Sequence, residues 1–460
     1  MADFSVANFV AVDRAVRTAV VAYETWVEDL ARSPESDAVF DQAPLARHRE
    51  VAGQTTFAAL SASRVVSQEE PWREALRRWV GVLTVRRVTE SLVGKQAKAE
   101  AEKSASVRLE TVMATSFREG LRGLLRSRNV VEASAWLQAI APRGPAVAAI
   151  VRERAENEDE VARRLGFSDL SDLVEGTRPF DLAAAAQTFL KETRDLAVAL
   201  RAADERRGDT GGSSFVGVVL AARGRNAPEG WPAGLSTRTL VETLHAPQDI
   251  GRGIRVRIVL PEIVGAATFA RSLESFGIAY RRGVATASSM PFALAFDPHF
   301  VDAYRFGFAF GALPTTTVYQ QRGLGLVARV AAQQARVMSA SALLHARGLA
   351  IAFLLSRPAS RPDKARFEEL THDVYGAGVP ASLFGIFPRP RFDVAARLEA
   401  LFGAPAFTGE LRDRFDEDWF RNPHAWRHLR TRASGPARST ELDHAPEPVA
   451  LARAFEEALG

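Results

Sequence analysis

Between Ala303 and Pro362 the chain runs for sixty residues without an Asp or Glu, although it carries 55 acids in all. Seven arginines and one histidine, His345, lie in that stretch. Four of the arginines, Arg322, Arg329, Arg336 and Arg347, are spaced by 7, 7 and 11 residues. At about 100° per residue they fall within roughly 40° of one helical face. Most of the intervening residues are apolar or small, which predicts a long, nearly buried helix over Arg322–Arg357 with one cationic stripe. A buried guanidinium must meet a carboxylate, an anionic ligand or water. These four arginines are therefore the candidate anion-binding residues.

A chain of 460 residues, 47% apolar and 25% charged, is long enough for a sizeable core and has a globular composition. Its lysines are only Lys95, Lys98, Lys103, Lys191 and Lys364, so the 59 basic residues are nearly all arginine. That skew accounts for the high isoelectric point at a net charge of only +4, and no nucleic-acid partner is expected. The absence of cysteine removes disulfides, thiolate metal sites and cysteine nucleophiles together. Met1–Val12 has no basic region ahead of its apolar residues, and the strongest apolar run, Leu349–Leu355, is too short to span a bilayer. A soluble, cytoplasmic protein without a membrane span is the expectation.

Phe9, Val16, Val20, Tyr23, Val27 and Leu30 recur at helical spacing, and Trp72, Leu76, Trp79, Leu83 and Leu92 mark a second helix that begins near Pro71. Asp181 is placed to cap one long helix over Leu182–Arg207. The polar, glycine-rich run Arg207–Ser214 then divides an all-helical region, 1–207, from a mostly helical one, 214–460. Within the second region Ile254–Leu260 and Phe292–Phe296 alternate as short strands do. Helices are expected at Pro261–Tyr280, Asp363–Val374, Phe392–Leu401 and Pro448–Leu459. The fold class is mainly α: a large multi-helix fold with at most a small β-sheet in the second half.

Few motifs carry chemistry. His424 and His428 have the i, i+4 spacing of a metal pair, but Ala425 stands where a zinc peptidase needs the Glu that takes a proton from metal-bound water. Gly323-Leu324-Gly325-Leu326-Val327-Ala328 fits a relaxed dinucleotide fingerprint, with Thr315–Tyr319 as the preceding strand candidate. No acid follows before Asp363, so the ribose-binding carboxylate is missing. His372-Asp373 and Asp297-Pro298-His299 place a carboxylate beside an imidazole, in turn or cap roles. Asp416-Glu417-Asp418, among Phe415, Trp419 and Phe420, is placed to supply the carboxylates that the arginine stripe demands. No metal and no cofactor are expected.

Tyr304-Arg305-Phe306-Gly307-Phe308-Ala309-Phe310, followed by a long helix and by the acidic-aromatic segment Phe415–Phe420 before Asn422-Pro423, resembles the helical zinc peptidases of the thimet oligopeptidase and oligoendopeptidase type. The resemblance covers the last 230 residues or so and implies a mostly helical, clamshell-shaped fold. It also implies zinc held by His-Glu-x-x-His and a downstream Glu, a motif this chain lacks; His345 is the only histidine on its long helix. The expectation is a non-catalytic helical scaffold or binding protein, a degenerate metallopeptidase-like fold whose partner is an acidic protein segment or an anionic small molecule. The alternative is a metal-independent enzyme holding a small anionic substrate in a cavity lined by Arg322, Arg329 and Arg336, although no base is evident for it.

Overall fold

The computed structural model describes residues 6–32, 39, 42–63, 66–109, 111–127, 129–175, 180–206, 214–223, 242–244, 266–357, 364–384, 391–437 and 447–460. The expected strand Ile254–Leu260, and most of the breaks at Arg207–Ser214 and Ala227–Pro232, lie outside the described residues. The first region contains α1 (Val6–Arg32), α2 (Gln54–Ala62) and α3 (Glu70–Ala101), then a hairpin of β1 (Ala105–Arg108) and β2 (Val112–Thr115). It continues with α4 (Phe117–Arg126), α5 (Val130–Ile140), α6 (Gly144–Arg164), α7 (Leu170–Glu175), α8 (Leu182–Glu192), α9 (Arg194–Arg206) and α10 (Phe215–Arg223). After these come α11 (Ala266–Ala287), α12 (Phe292–Ala295), α13 (Val301–Gly311) and α14 (Ala328–Ser356). The chain closes with α15 (Lys364–Tyr375), α16 (Arg391–Phe415), α17 (Pro423–Ser434) and α18 (Pro448–Leu459). The fold is mainly α with one small antiparallel sheet.

That sheet corrects two expectations. It lies in the first half, which is therefore not wholly helical, with Val107 opposite Met113 and Ala105 opposite Thr115. Phe292–Phe296 is not a strand: its start is a helical turn, because Asp13 of α1 accepts hydrogen bonds from the backbone N–H of Phe292 and of Ala293, each at 2.8 Å. A carboxylate there satisfies the open donors of a helix N-terminus, which local alternation cannot foresee. The expected single helix Leu182–Arg207 is likewise two, broken at Thr193.

Four cores hold the helices together. One joins α1, α2, α3 and α12 around Trp26, Trp79 and Phe57. Another joins α4, α5, α6, α10 and α15 to the end of α14. A third packs α11, α13 and α17 around Tyr280, Phe310 and Trp426. The largest draws on both sequence regions, with Val82, Phe189, Leu343, Phe353, Phe402 and Phe455 in one cluster. Helix α14 reaches three of the four, through Met338, through Leu343 and Phe353, and through Ile351 and Leu355. It is long and apolar enough to cross a membrane, and 61% of its most apolar window is buried inside the fold.

The arginines expected as one stripe separate. Arg322 lies off the helix, on a π-helical turn over Tyr319–Gly323, because α14 begins only at Ala328. There it is half-exposed and pairs with Asp418, a contact the acidic-aromatic segment was expected to make. The strand candidate Thr315–Tyr319 is also helical, a 3-10 turn over Leu313–Thr315 running into the π turn, so the glycine motif follows no strand. Arg329 is exposed. Arg336, also exposed, donates to the Leu459 carbonyl at 2.6 Å, at the end of α18 where open carbonyls favour a cation. Only Arg347 is buried, at 2% exposure. It donates to the carbonyls of Val374 (3.0 Å) and Leu190 (2.9 Å) and to Thr193 Oγ1 (2.6 Å), tying α14 to α8 and α15 without a carboxylate. Burial, aided by Arg201 and Arg194, pulls its pKa down to about 10.

Arg347→Met strands these buried acceptors and is expected to cost about 2–4 kcal/mol, whereas Arg329→Met should change stability by about 0.5 kcal/mol at most. Urea denaturation of both variants beside the unmodified protein checks this; equal shifts in midpoint would refute it.

Candidate functional site

Helices α11 and α13 lie almost backbone against backbone. A Cβ on Gly277 would come within 2.5 Å of the Phe306 carbonyl, and one on Gly307 within 2.8 Å of Ile278 and 3.0 Å of the Glu274 carbonyl. Two glycines thirty residues apart thus permit an approach that any other residue would push open. Behind this crossing Arg281 (1% exposed) pairs with Asp302 and donates to the Ala295 carbonyl at 3.1 Å.

On its other side the crossing assembles a charged cluster. Glu274 of α11 meets Arg397 of α16 at 2.9 Å. Arg397 also approaches Asp393 at 3.9 Å and lies over the rings of Tyr304 and Phe308, at 5.8 and 6.0 Å from their centroids. The Tyr304 hydroxyl donates to Asp393. Burial first, and the Asp393 charge second, hold that phenol well above its ordinary pKa, so it stays protonated.

This cluster borders a partly open cavity of about 240 Å³ lined by α11, α13, α14, α16 and α18. Arg271 and Glu274 form one wall, His345 stands on α14, and Arg412 and Glu417, 4.0 Å apart, lie at another edge. The Arg271 guanidinium is open to the cavity and approaches His345 Nδ1 at 3.3 Å. An arginine only donates, so Nδ1 is the acceptor and the neutral ring carries its proton on Nε2. Burial first, then the charges of Arg271 and Arg397, hold His345 well below the ordinary histidine pKa. Its Nε2 is buried and has no hydrogen-bond partner among the described residues.

None of Arg322, Arg329, Arg336 and Arg347 lines this cavity. Arg271, which lines the cavity as Arg412 does, lies on α11, where nothing in the local sequence distinguishes it from its neighbours. The lone His345 was visible, but its partner is 74 positions away. His424 and His428 stand elsewhere: Arg427 donates to His424 at 2.8 Å, and His428 faces Glu410 at 3.2 Å. Asp297 accepts the His299 N–H at 2.9 Å, in a turn.

A zinc ion of the kind the resemblance implies does not fit the cavity's donors. His345 has Nδ1 engaged by a cation, Glu274 is neutralised by Arg397, and a dication would face two guanidinium groups. Among the described residues no three His, Asp or Glu side chains lie together as a ligand set.

No known protein family matches the chain, and no curated protein does. Solved structures do. A Pz peptidase A with an inhibitor aligns over 99% of this chain and 97% of its own, at a TM-score of 0.61 and 11% identity. A putative oligoendopeptidase F aligns over 96% of each chain, at 0.62 and 12%. The fold is peptidase-like along its whole length, beyond the last 230 residues that carried the resemblance.

Because the folded His345 resists protonation, the unfolded chain takes up that proton first as pH falls below about 6.5. Stability should therefore drop between pH 6.5 and 5, by up to about 1.4 kcal/mol per pH unit from this group. His345→Gln should flatten that part of the profile, measured by urea denaturation at stepped pH; parallel profiles would show that the folded protein accepts the proton freely.

Proposed function

We infer that this chain is a non-catalytic binding protein on a peptidase-like fold, and that its ligand occupies the cavity between α11, α14 and α16. The observation that supports this reading is the state of Glu274. A carboxylate that is to activate water must have an oxygen free to accept from it, whereas Glu274 is held by Arg397 at 2.9 Å. Among the described residues the one imidazole lining the cavity has its accepting nitrogen engaged by Arg271. What remains is a partly open, mostly apolar space with a few convergent polar groups, the usual form of a ligand site.

A quenched fluorescent peptide library incubated with the purified protein, with and without added zinc, is expected to show no hydrolysis above buffer. Glu274→Gln should leave that baseline unchanged. Hydrolysis that disappears in Glu274→Gln would overturn the reading and make the chain a peptidase.

A further inference from the structure

We propose that the cavity recognises a monocarboxylate with an apolar body, the carboxylate pairing with Arg271. This rests on the cavity being a binding site and adds the chemistry of its ligand.

The charges leave Arg271 available. Glu274 and Asp393 lie within its electrostatic reach, but Arg397 stands against both of them, at 2.9 and 3.9 Å. Arg412 faces Glu417. The α14 wall belongs to the acid-free stretch and offers no carboxylate. Among the described residues Arg271 has no ion pair, and its hydrogen bond goes to a neutral imidazole. Burial and the nearby Arg397 cation push its pKa down, the state of a guanidinium that an incoming anion would stabilise. A planar fork of N–H donors is the natural partner of a carboxylate. His345 is a positioning residue here: its Nδ1 accepts from one Arg271 nitrogen and fixes how the others face the cavity.

The remaining walls reject a polar ligand. Each hydroxyl in the lining spends its hydrogen on a main-chain carbonyl: Thr315 on Ala312, Thr316 on Leu313, Ser339 on Ala335, Ser341 on Ala222 and Thr408 on Ala404. A sugar or polyol would meet no free hydroxyl donor there. Much of the remaining lining is apolar, with Leu313, Met338, Leu401, Leu451 and Phe455 among several alanines. Such walls favour an apolar body by burial alone. A phosphate monoester, with twice the charge, would find one unpaired cation.

Calorimetric titration of the full chain with octanoate, octanol and octylamine tests the proposal. Octanoate is expected to bind at least tenfold more tightly than octanol, and octylamine not at all. Arg271→Met should abolish the octanoate preference while octanol binding persists, Arg271→Lys should restore part of it, and His345→Phe should weaken octanoate alone. N-acetyl-Leu-Phe and its amide distinguish the source: a peptide acid that outbinds both its amide and octanoate points to a peptide C-terminus, and the reverse order to a free acid. Equal binding of octanoate and octanol, or an unchanged preference in Arg271→Met, would overturn the carboxylate contact and leave the cavity a binding site. If none of the probes bound, the ligand chemistry and the cavity's role would fall together.

Discussion

Burying α14 is the constraint on which the fold depends. Twenty-nine residues of mostly apolar helix must be covered on nearly every side, and three separate cores form to do it. The helix still carries arginines, and each is handled by its position. Near the N-terminus Arg329 and Arg336 reach the surface; in the interior Arg347 meets neutral acceptors. Meeting carbonyls with a buried cation avoids the need for a second buried charge, whose desolvation would itself be costly.

The contact of α11 with α13 plays the corresponding role for the cavity. Gly277 and Gly307 bring the helices together, so that Glu274 and Tyr304, on different helices, both reach α16. The resulting network is specific in what it presents: carboxylates neutralised, a phenol kept protonated, an imidazole kept neutral and one guanidinium facing the interior. The architecture resembles that of the peptidases it aligns with, and a shared fold does not by itself carry a shared site.

Helical periodicity revealed most of the architecture. The long apolar helix, the opening helix α1 and the closing helix α18 were all legible because a buried face repeats at helical spacing. The hairpin β1–β2 was not, since four-residue strands such as Ala105–Arg108 give no period to read. Phe292 was misread because Asp13, which caps its helix, lies 279 positions away. The arginine stripe failed for a related reason: its spacing assumed an unbroken helix from Arg322, and the π turn before Ala328 moves that residue to a different surface. Of the site, His345 and the segments holding Tyr304, Phe308, Glu417 and Trp419 could be noticed in advance, though not that they meet. Arg271, Glu274 and Arg397 acquire meaning from helices that meet in space, and no local pattern announces that.

The largest core has a consequence for how the protein is made. It joins Val82 and Phe189 to Phe402 and to Phe455, whose ring lies 6.3 Å from that of Phe189. A ribosome releases the first half of the chain well before the residues that cover it. During that interval α3 and α8 keep first-half partners such as Val161 and Leu170 but lack the cover that Phe402 and Phe455 supply, and contacts this distant in sequence close slowly. That apolar surface stays open to association until α16 and α18 emerge.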